Sequence, residues 1–173
     1  RGHRVLEGAA FAVLGFRGLK KPPKQPFSAL VVVYTTDLRV LLLERADYPG
    51  HWQSVTGSAE PGEAIAATAV RELREETGID ASSHRGATDW RIVNRYTIFE
   101  QWRHRYADGT THNVERVFGV RVADPVPVTL APREHLQFAW LPWREAAMRC
   151  FSWSNRDAIL MLSCQSNKEL RCR

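Results

Sequence analysis

Between residues 57 and 79 the chain reads Gly-Ser-Ala-Glu-Pro-Gly-Glu-Ala-Ile-Ala-Ala-Thr-Ala-Val-Arg-Glu-Leu-Arg-Glu-Glu-Thr-Gly-Ile, and no other stretch restricts the fold as tightly. Residues 64–77 contain neither Pro nor Gly and are rich in Ala, Glu, Arg and Leu, which predicts a helix. Pro61-Gly62 predicts a turn before it, and Gly78 a left-handed cap after it. On that helix Ala66, Ala69, Val70, Leu73 and Thr77 form one stripe, expected to face a core. Glu72, Glu75 and Glu76 stand at i, i+3 and i+4 and form a second stripe, roughly a quarter to a third of a turn away. The carboxylates are therefore expected beside the core, at the edge of the cleft that the helix borders.

Three carboxylates this close repel one another unless a cation lies between them. A cluster of oxygen ligands suits Mg²⁺, with Mn²⁺ as a substitute, better than Zn²⁺. Bound there, such an ion would neutralise phosphate charge, orient the phosphates and activate water. Arg71 is expected to hold one carboxylate in place, and Glu63 to order the preceding loop or add a ligand. A glutamate-rich helix face is by itself more often a solvated surface laced with ion pairs. The register of Gly57, Glu63 and Gly78 with the three glutamates argues against that reading here.

That register resembles, at every position, the signature of the Nudix hydrolases, which use divalent metal to hydrolyse diphosphate linkages. The resemblance implies an α/β fold, an α/β/α sandwich with a mixed β-sheet. Five further stretches are similar to the bacterial dihydroneopterin triphosphate diphosphatases: Phe-Ser-Ala-Leu-Val-Val-Val-Tyr at 27–34, Trp-Gln-Ser-Val-Thr-Gly-Ser at 52–58, Phe-Glu-Gln-Trp-Arg-His-Arg-Tyr-Ala-Asp-Gly at 99–109, Glu-His-Leu at 134–136 and Phe-Ser-Trp-Ser-Asn-Arg at 151–156. This second resemblance implies conversion of dihydroneopterin triphosphate to the monophosphate and pyrophosphate, a step of folate synthesis. It maps metal carboxylates onto Glu72, Glu76 and Glu134, with Glu75 beside them. It maps substrate contacts onto Lys24, Arg45, Thr56, Tyr96, Thr97, Ile98, Phe99 and Ser152. Lys24 and Arg45 suit a triphosphate, Tyr96 and Phe99 suit the walls of a flat ring, and Thr56 and Ser152 suit its polar edge.

Glu75, Glu76 and Arg71 are the expected catalytic residues, with the general base open among Glu75, Glu76 and Glu134. His104 and His135 are expected to be structural, and Trp153 to pack in the core. Rival readings are a broader nucleoside triphosphate pyrophosphohydrolase acting on dATP or damaged nucleotides, an RNA 5′-end pyrophosphohydrolase, and a non-catalytic nucleotide sensor.

Charge bears on these rivals. The net charge of +5 is held by the first 24 residues, where Arg1, Arg4, Arg17, Lys20, Lys21 and Lys24 face one acid, Glu7. The remaining body has 18 basic and 18 acidic residues. A nucleic-acid track across the body is therefore not expected. Residues 1–23 are expected to form a basic arm, disordered or non-native, since the first methionine is Met148. Residues 6–16 are broken by Gly8 and Gly15, unlike the apolar run of a signal peptide. With 44% hydrophobic residues and no membrane-length apolar run, residues 24–164 are expected to be one soluble domain, with 165–173 a tail. Cys150, Cys164 and Cys172 lack metal-ligand spacing and predict reduced thiols in a cytoplasm. The expected partner is a small pterin or nucleoside triphosphate, with the protein a monomer or homodimer.

Residue patterning predicts strands over 28–34, 40–43, 52–56, 90–103, 113–122 and 137–141. Hairpin turns are expected at 35–39 and at Asp108-Gly109. Helices are expected at 144–150 and from a Ser154/Asp157 capping box to about Cys164. In a strand, Arg103, His104 and Arg105 would alternate faces, so at most two would reach one phosphate chain.

Overall fold

The computed structural model describes residues 22–165. The basic arm expected over 1–23 therefore lies, apart from its last two residues, outside the described residues, as does the tail from 166 onward. No described helix is long and apolar enough to cross a membrane.

The aliphatic runs pair into one mixed sheet. β1 (Phe27–Thr35) is its central strand and runs parallel to β6 (His112–Val122) in a nine-residue register from Phe27↔Val114 to Thr35↔Val122. Its other side is shared. β2 (Arg39–Arg45) pairs antiparallel at Tyr34↔Val40, and β4 (Val55–Ser58) pairs antiparallel from Val31↔Val55 to Ser28↔Ser58. β3 (Trp52–Gln53) extends from β2. β5 (Thr88–Thr97) lies outside β6, and β7 (His135–Pro142) outside β2.

β1 is apolar on both faces because both faces are covered. Ala29, Val31 and Val33 join Leu41, Leu43 and Phe118 beneath α1 (Ile65–Thr77), which contributes Ala69 and Leu73. Leu30, Val32 and Tyr34 join Val40 and Leu42 on the opposite face. There α2 (Trp143–Arg149) contributes Ala146 and Ala147, and α3 (Trp153–Leu160) contributes Ala158 and Ile159. The result is the α/β/α sandwich with a mixed sheet. Leu73 has no exposed surface, so truncating it to Ala would cost about 2–5 kcal/mol.

Several expectations need correction. The stripe that α1 buries is Thr68, Ala69, Leu73, Glu76 and Thr77, while Ala66 and Val70 face solvent. The helix is rotated so that Glu76 points inward. The run 52–56 is two short strands, because at Ser54 the chain leaves β2 and joins β1. β5 ends at Thr97, and Glu100–Arg105 is a 3-10 helix, so Arg103, His104 and Arg105 do not alternate as strand residues. Asp108-Gly109 turns inside the resulting long connection rather than closing a tight hairpin. Ser152, not Ser154, caps α3, its hydroxyl accepting from the Asn155 N–H at 3.4 Å. Trp153 is half exposed rather than core.

Candidate functional site

The site begins where α1 meets β4. Arg71 links four groups. Its Nε donates to Glu63 Oε1 at 2.8 Å, Nη1 to Glu72 Oε1 at 2.8 Å and Glu75 Oε2 at 3.1 Å, and Nη2 to the Ser58 carbonyl at 3.1 Å. Glu63 orders the loop before the helix, because its Oε2 also accepts from the Glu60 N–H at 2.9 Å and the Thr68 hydroxyl at 2.8 Å. Its carboxyl is held at about 2, first through the Arg71 hydrogen bond. The Glu72 carboxylate lies directly against Gly57, whose missing side chain makes the room. Burial, opposed by Arg71 and reinforced by Glu76, raises the Glu72 pKa to about 7.

Glu76 is one turn farther along and 4% exposed. Burial raises its pKa, the contact with His135 lowers it, and Glu134 raises it again. Glu134 and His135 come from the far end of the chain. Their segment is fastened over the end of α1 by Thr129 N–H to the Thr77 carbonyl (2.9 Å) and Ala131 N–H to the Glu76 carbonyl (3.2 Å). Ala46 N–H to the Glu134 carbonyl (2.9 Å) ties the same segment to the end of β2. Ligand atoms of Glu76, Glu134 and His135 then lie within 4.8 Å of one another. His135 Nε2 is 3.2 Å from Glu76 Oε2, within ion-pair distance, but the two atoms are not aligned as donor and acceptor. Each is left buried without a hydrogen bond. Buried, unpaired carboxylate and imidazole atoms facing one another are what a divalent cation would satisfy. Glu75 is the outlier of the glutamates, its side chain 59% exposed and paired to Arg71.

Beside β4 a cavity of about 410 Å³ opens, lined in part by Thr56, Gly57 and Ser58. Lys24, Arg45, Thr56, Tyr96, Thr97, Ile98, Phe99 and Ser152 all line it, so the eight expected contact residues, spread over 129 positions of chain from 24 to 152, converge on one space. Lys24 is anchored there by its N–H to the Arg105 carbonyl at 2.8 Å. Its ammonium is pushed below the ordinary range, first by desolvation and then by Arg105, while Glu72 and Glu134 pull the other way. Lys24 thus lines the cavity within electrostatic reach of Glu72 and Glu134. Arg45 is held rather than free: it pairs with Asp47 at 2.9 and 2.8 Å, donates to Gln53 Oε1 at 2.9 Å and stacks on Trp102 at 4.6 Å. Arg105 joins the same Asp47 at 2.7 Å. Burial opposes ionisation of Asp47, but the two arginines outweigh it and hold its carboxyl at about 2. Phe99, Trp102 and Phe151 form an aromatic wall with ring centroids 5.4 to 5.9 Å apart.

The cavity also has a polar floor that patterning did not reveal. Of the buried polar residues here, Glu115 and Asn155 line the cavity, while Asn113 and Ser54 hydrogen-bond to lining residues. Asn155 Oδ1 accepts from the Ser54 N–H at 2.7 Å, and its Nδ2 donates to the Ser54 hydroxyl at 3.0 Å. A signal was present: Asn113 and Glu115 occupy inward positions of a strand, alternating into Val117. His135 was likewise read as structural, yet it stands in the metal-competent cluster.

Comparison with known proteins agrees with this geometry. The NUDIX domain model matches residues 24–162. The dihydroneopterin triphosphate diphosphatase of Escherichia coli strain K12 is 43% identical over 138 residues, 79% of this chain and 91% of the relative. That of Haemophilus influenzae is 40% identical over 134 residues, 76% and 84% of the two chains. The solved E. coli dihydroneopterin triphosphate pyrophosphohydrolase superposes with a TM-score of 0.76 at 42% identity, covering 80% of this chain and 95% of that one. With the signature helix, the sandwich and the carboxylate cluster in place, the chain belongs to the NUDIX domain family and is a Nudix hydrolase.

Proposed function

We propose that the protein hydrolyses dihydroneopterin triphosphate to dihydroneopterin monophosphate and pyrophosphate, with Mg²⁺ (or Mn²⁺) held by Glu72, Glu76 and Glu134 and with Glu75 at the rim. What carries this reading is the convergence of the eight contact residues on one cavity that is also lined by Gly57, the residue against which the Glu72 carboxylate lies. The similarity to the two bacterial diphosphatases supports the same substrate, and the step of folate synthesis that the resemblance implies is proposed for this chain as well.

The flat ring lies along the Phe99–Trp102–Phe151 wall, and the phosphates run past Lys24, Arg45 and Arg105 toward α1. A bound divalent cation supplies charge neutralisation and water activation. Water oxygen forms a bond to a phosphorus of the α–β bridge while the bridging P–O bond breaks, its electron pair leaving with oxygen. The water's proton passes to a carboxylate of the site, with Glu75, Glu76 and Glu134 as the candidate bases. Arg71 acts through Glu63, Glu72 and Glu75, holding their rotamers rather than touching substrate. Pterin and purine rings share edges, so purine nucleoside triphosphates such as dATP are the competing substrates.

Pyrophosphate release from dihydroneopterin triphosphate, with and without Mg²⁺, and kcat/KM against dATP test the reading. Mg²⁺-dependent release with the pterin favoured is expected, and a preference for dATP would overturn the substrate.

A further inference from the structure

Glu115 is a carboxylate set into the cavity floor and 4% exposed. Its hydrogen-bonding partners are neutral. Asn94 Nδ2 donates to Oε1 at 3.3 Å, the Tyr96 hydroxyl reaches Oε2 at 3.4 Å, and Ser154 adds a third contact. Both distances are long for such bonds. An ionised carboxylate accepts about four hydrogen bonds, so this one is under-served, and burying it without a cation is costly. Its orientation is nonetheless fixed. Asn113 Nδ2 donates to the Tyr96 hydroxyl at 3.0 Å and to the Ser28 hydroxyl at 2.7 Å, which holds Tyr96 in place beside Glu115.

The cavity has two chemically different ends. The Lys24 ammonium is under the influence of Arg105, Arg45, Glu72 and Glu134, whereas Glu115 is surrounded by Asn94, Ser154 and Tyr96. The first end suits phosphates. The second presents the two oxygens of one buried carboxylate held beside Tyr96.

We propose that Glu115 is the specificity-determining residue for the ring, accepting two adjacent N–H donors: an exocyclic amino group and the neighbouring ring N–H. This rests on the proposed pterin reading and deepens it. A pterin carries that donor pair, and so does guanine. Adenine offers one amino donor beside a ring nitrogen lone pair, which would face a carboxylate oxygen with no proton between them. Hypoxanthine keeps the ring N–H but lacks the amino group.

The test is kcat/KM for dihydroneopterin triphosphate, dGTP, dITP and dATP in the wild type, Glu115→Gln and Glu115→Asp. The wild type is expected to prefer dGTP over dITP and dITP over dATP. A glutamine amide offers one acceptor and one donor, which matches adenine's edge. Glu115→Gln is therefore expected to lower kcat/KM for dihydroneopterin triphosphate and dGTP by roughly 10–100-fold, mostly through KM, and to raise that for dATP. Retained dATP turnover also shows that the variant folds. If Glu115→Gln does not fold, Glu115→Asp carries the test: its carboxylate draws back from the ring, and the dGTP-to-dATP ratio is again expected to fall. A ratio unchanged from wild type in the folded variant, whether or not both rates drop, overturns the assignment. A wild type that prefers dATP to the pterin would sink the proposed substrate, while the change in ratio on substitution still decides the role of Glu115.

Discussion

Gly57 on β4 and Glu72 on α1 are in such close contact that a Cβ on the glycine would overlap the glutamate's carboxylate. Because the obstructing atoms are the end of a flexible side chain, Gly57→Ala is expected to keep the fold and swing Glu72 away. Turnover should fall by about 10²-fold or more, the scale on which a misplaced group costs an oriented site. The Mg²⁺ concentration giving half-maximal rate should rise, with Tm within a few degrees of wild type. Steady-state kinetics across a Mg²⁺ titration would check this, and unaltered kinetics would remove Glu72 from the site.

Glu76→Gln keeps the size of a buried side chain and removes its charge. It is expected to lower kcat by roughly 10²–10⁴-fold, the range for losing a proton-transfer group, without unfolding the protein. Calorimetry paired with pyrophosphate release separates the two effects. Undiminished release refutes the role given to Glu76.

Stability should depend on pH in a specific window. The folded protein raises the Glu72 carboxyl to about 7 from an ordinary value of 4.5, so the folded state holds that proton more tightly than the unfolded state. Metal-free protein is thus expected to lose stability as pH rises from about 5 to about 7.5. Glu63 and Asp47, both held at about 2, contribute stability that is lost only at more acidic pH. Mg²⁺ replaces the proton at Glu72, so the Tm gained on adding Mg²⁺ should grow across the same window. A Tm gain independent of pH would count against Glu72 as a ligand.

Asn155 and Ser54 are joined by two hydrogen bonds across the boundary of α3 and the β3–β4 break. Asn155→Ala leaves the buried Ser54 N–H without an acceptor, at a cost of about 2 kcal/mol. For a domain of this size that corresponds to a Tm drop of roughly 4–8 °C. Because both residues line or adjoin the cavity, KM should rise more than kcat falls. Thermal melts and initial rates on the same preparation test this, and a KM unmoved by the substitution would make the pair purely structural.

Much of the architecture was legible because local chemistry and global packing agree. The runs of β1 and β2 are apolar on both faces, and each lies between two helical layers. Gly78 takes the left-handed conformation with φ of 72°, as a helix stop should. The 90–103 run was misread because Ile98, Phe99 and Trp102 carry strand-like character but are used for a cavity wall. The cap of α3 was misplaced because Ser152 and Ser154 are equally good caps by chemistry. Only packing decides between them, with Ser154 buried beside Glu115.

By itself, then, the order of residues determined the signature helix, its cap, most of the strands and the shared helical stripe of Glu72, Glu75 and Glu76, since each follows from spacing along a short piece of backbone. The tertiary structure alone decided which of those glutamates turns inward, that Glu134 and His135 join Glu76, and that Glu115 enters the cavity floor. Those outcomes depend on which distant segments close over a helix or strand, and a periodic pattern carries no information about groups that approach from another part of the chain.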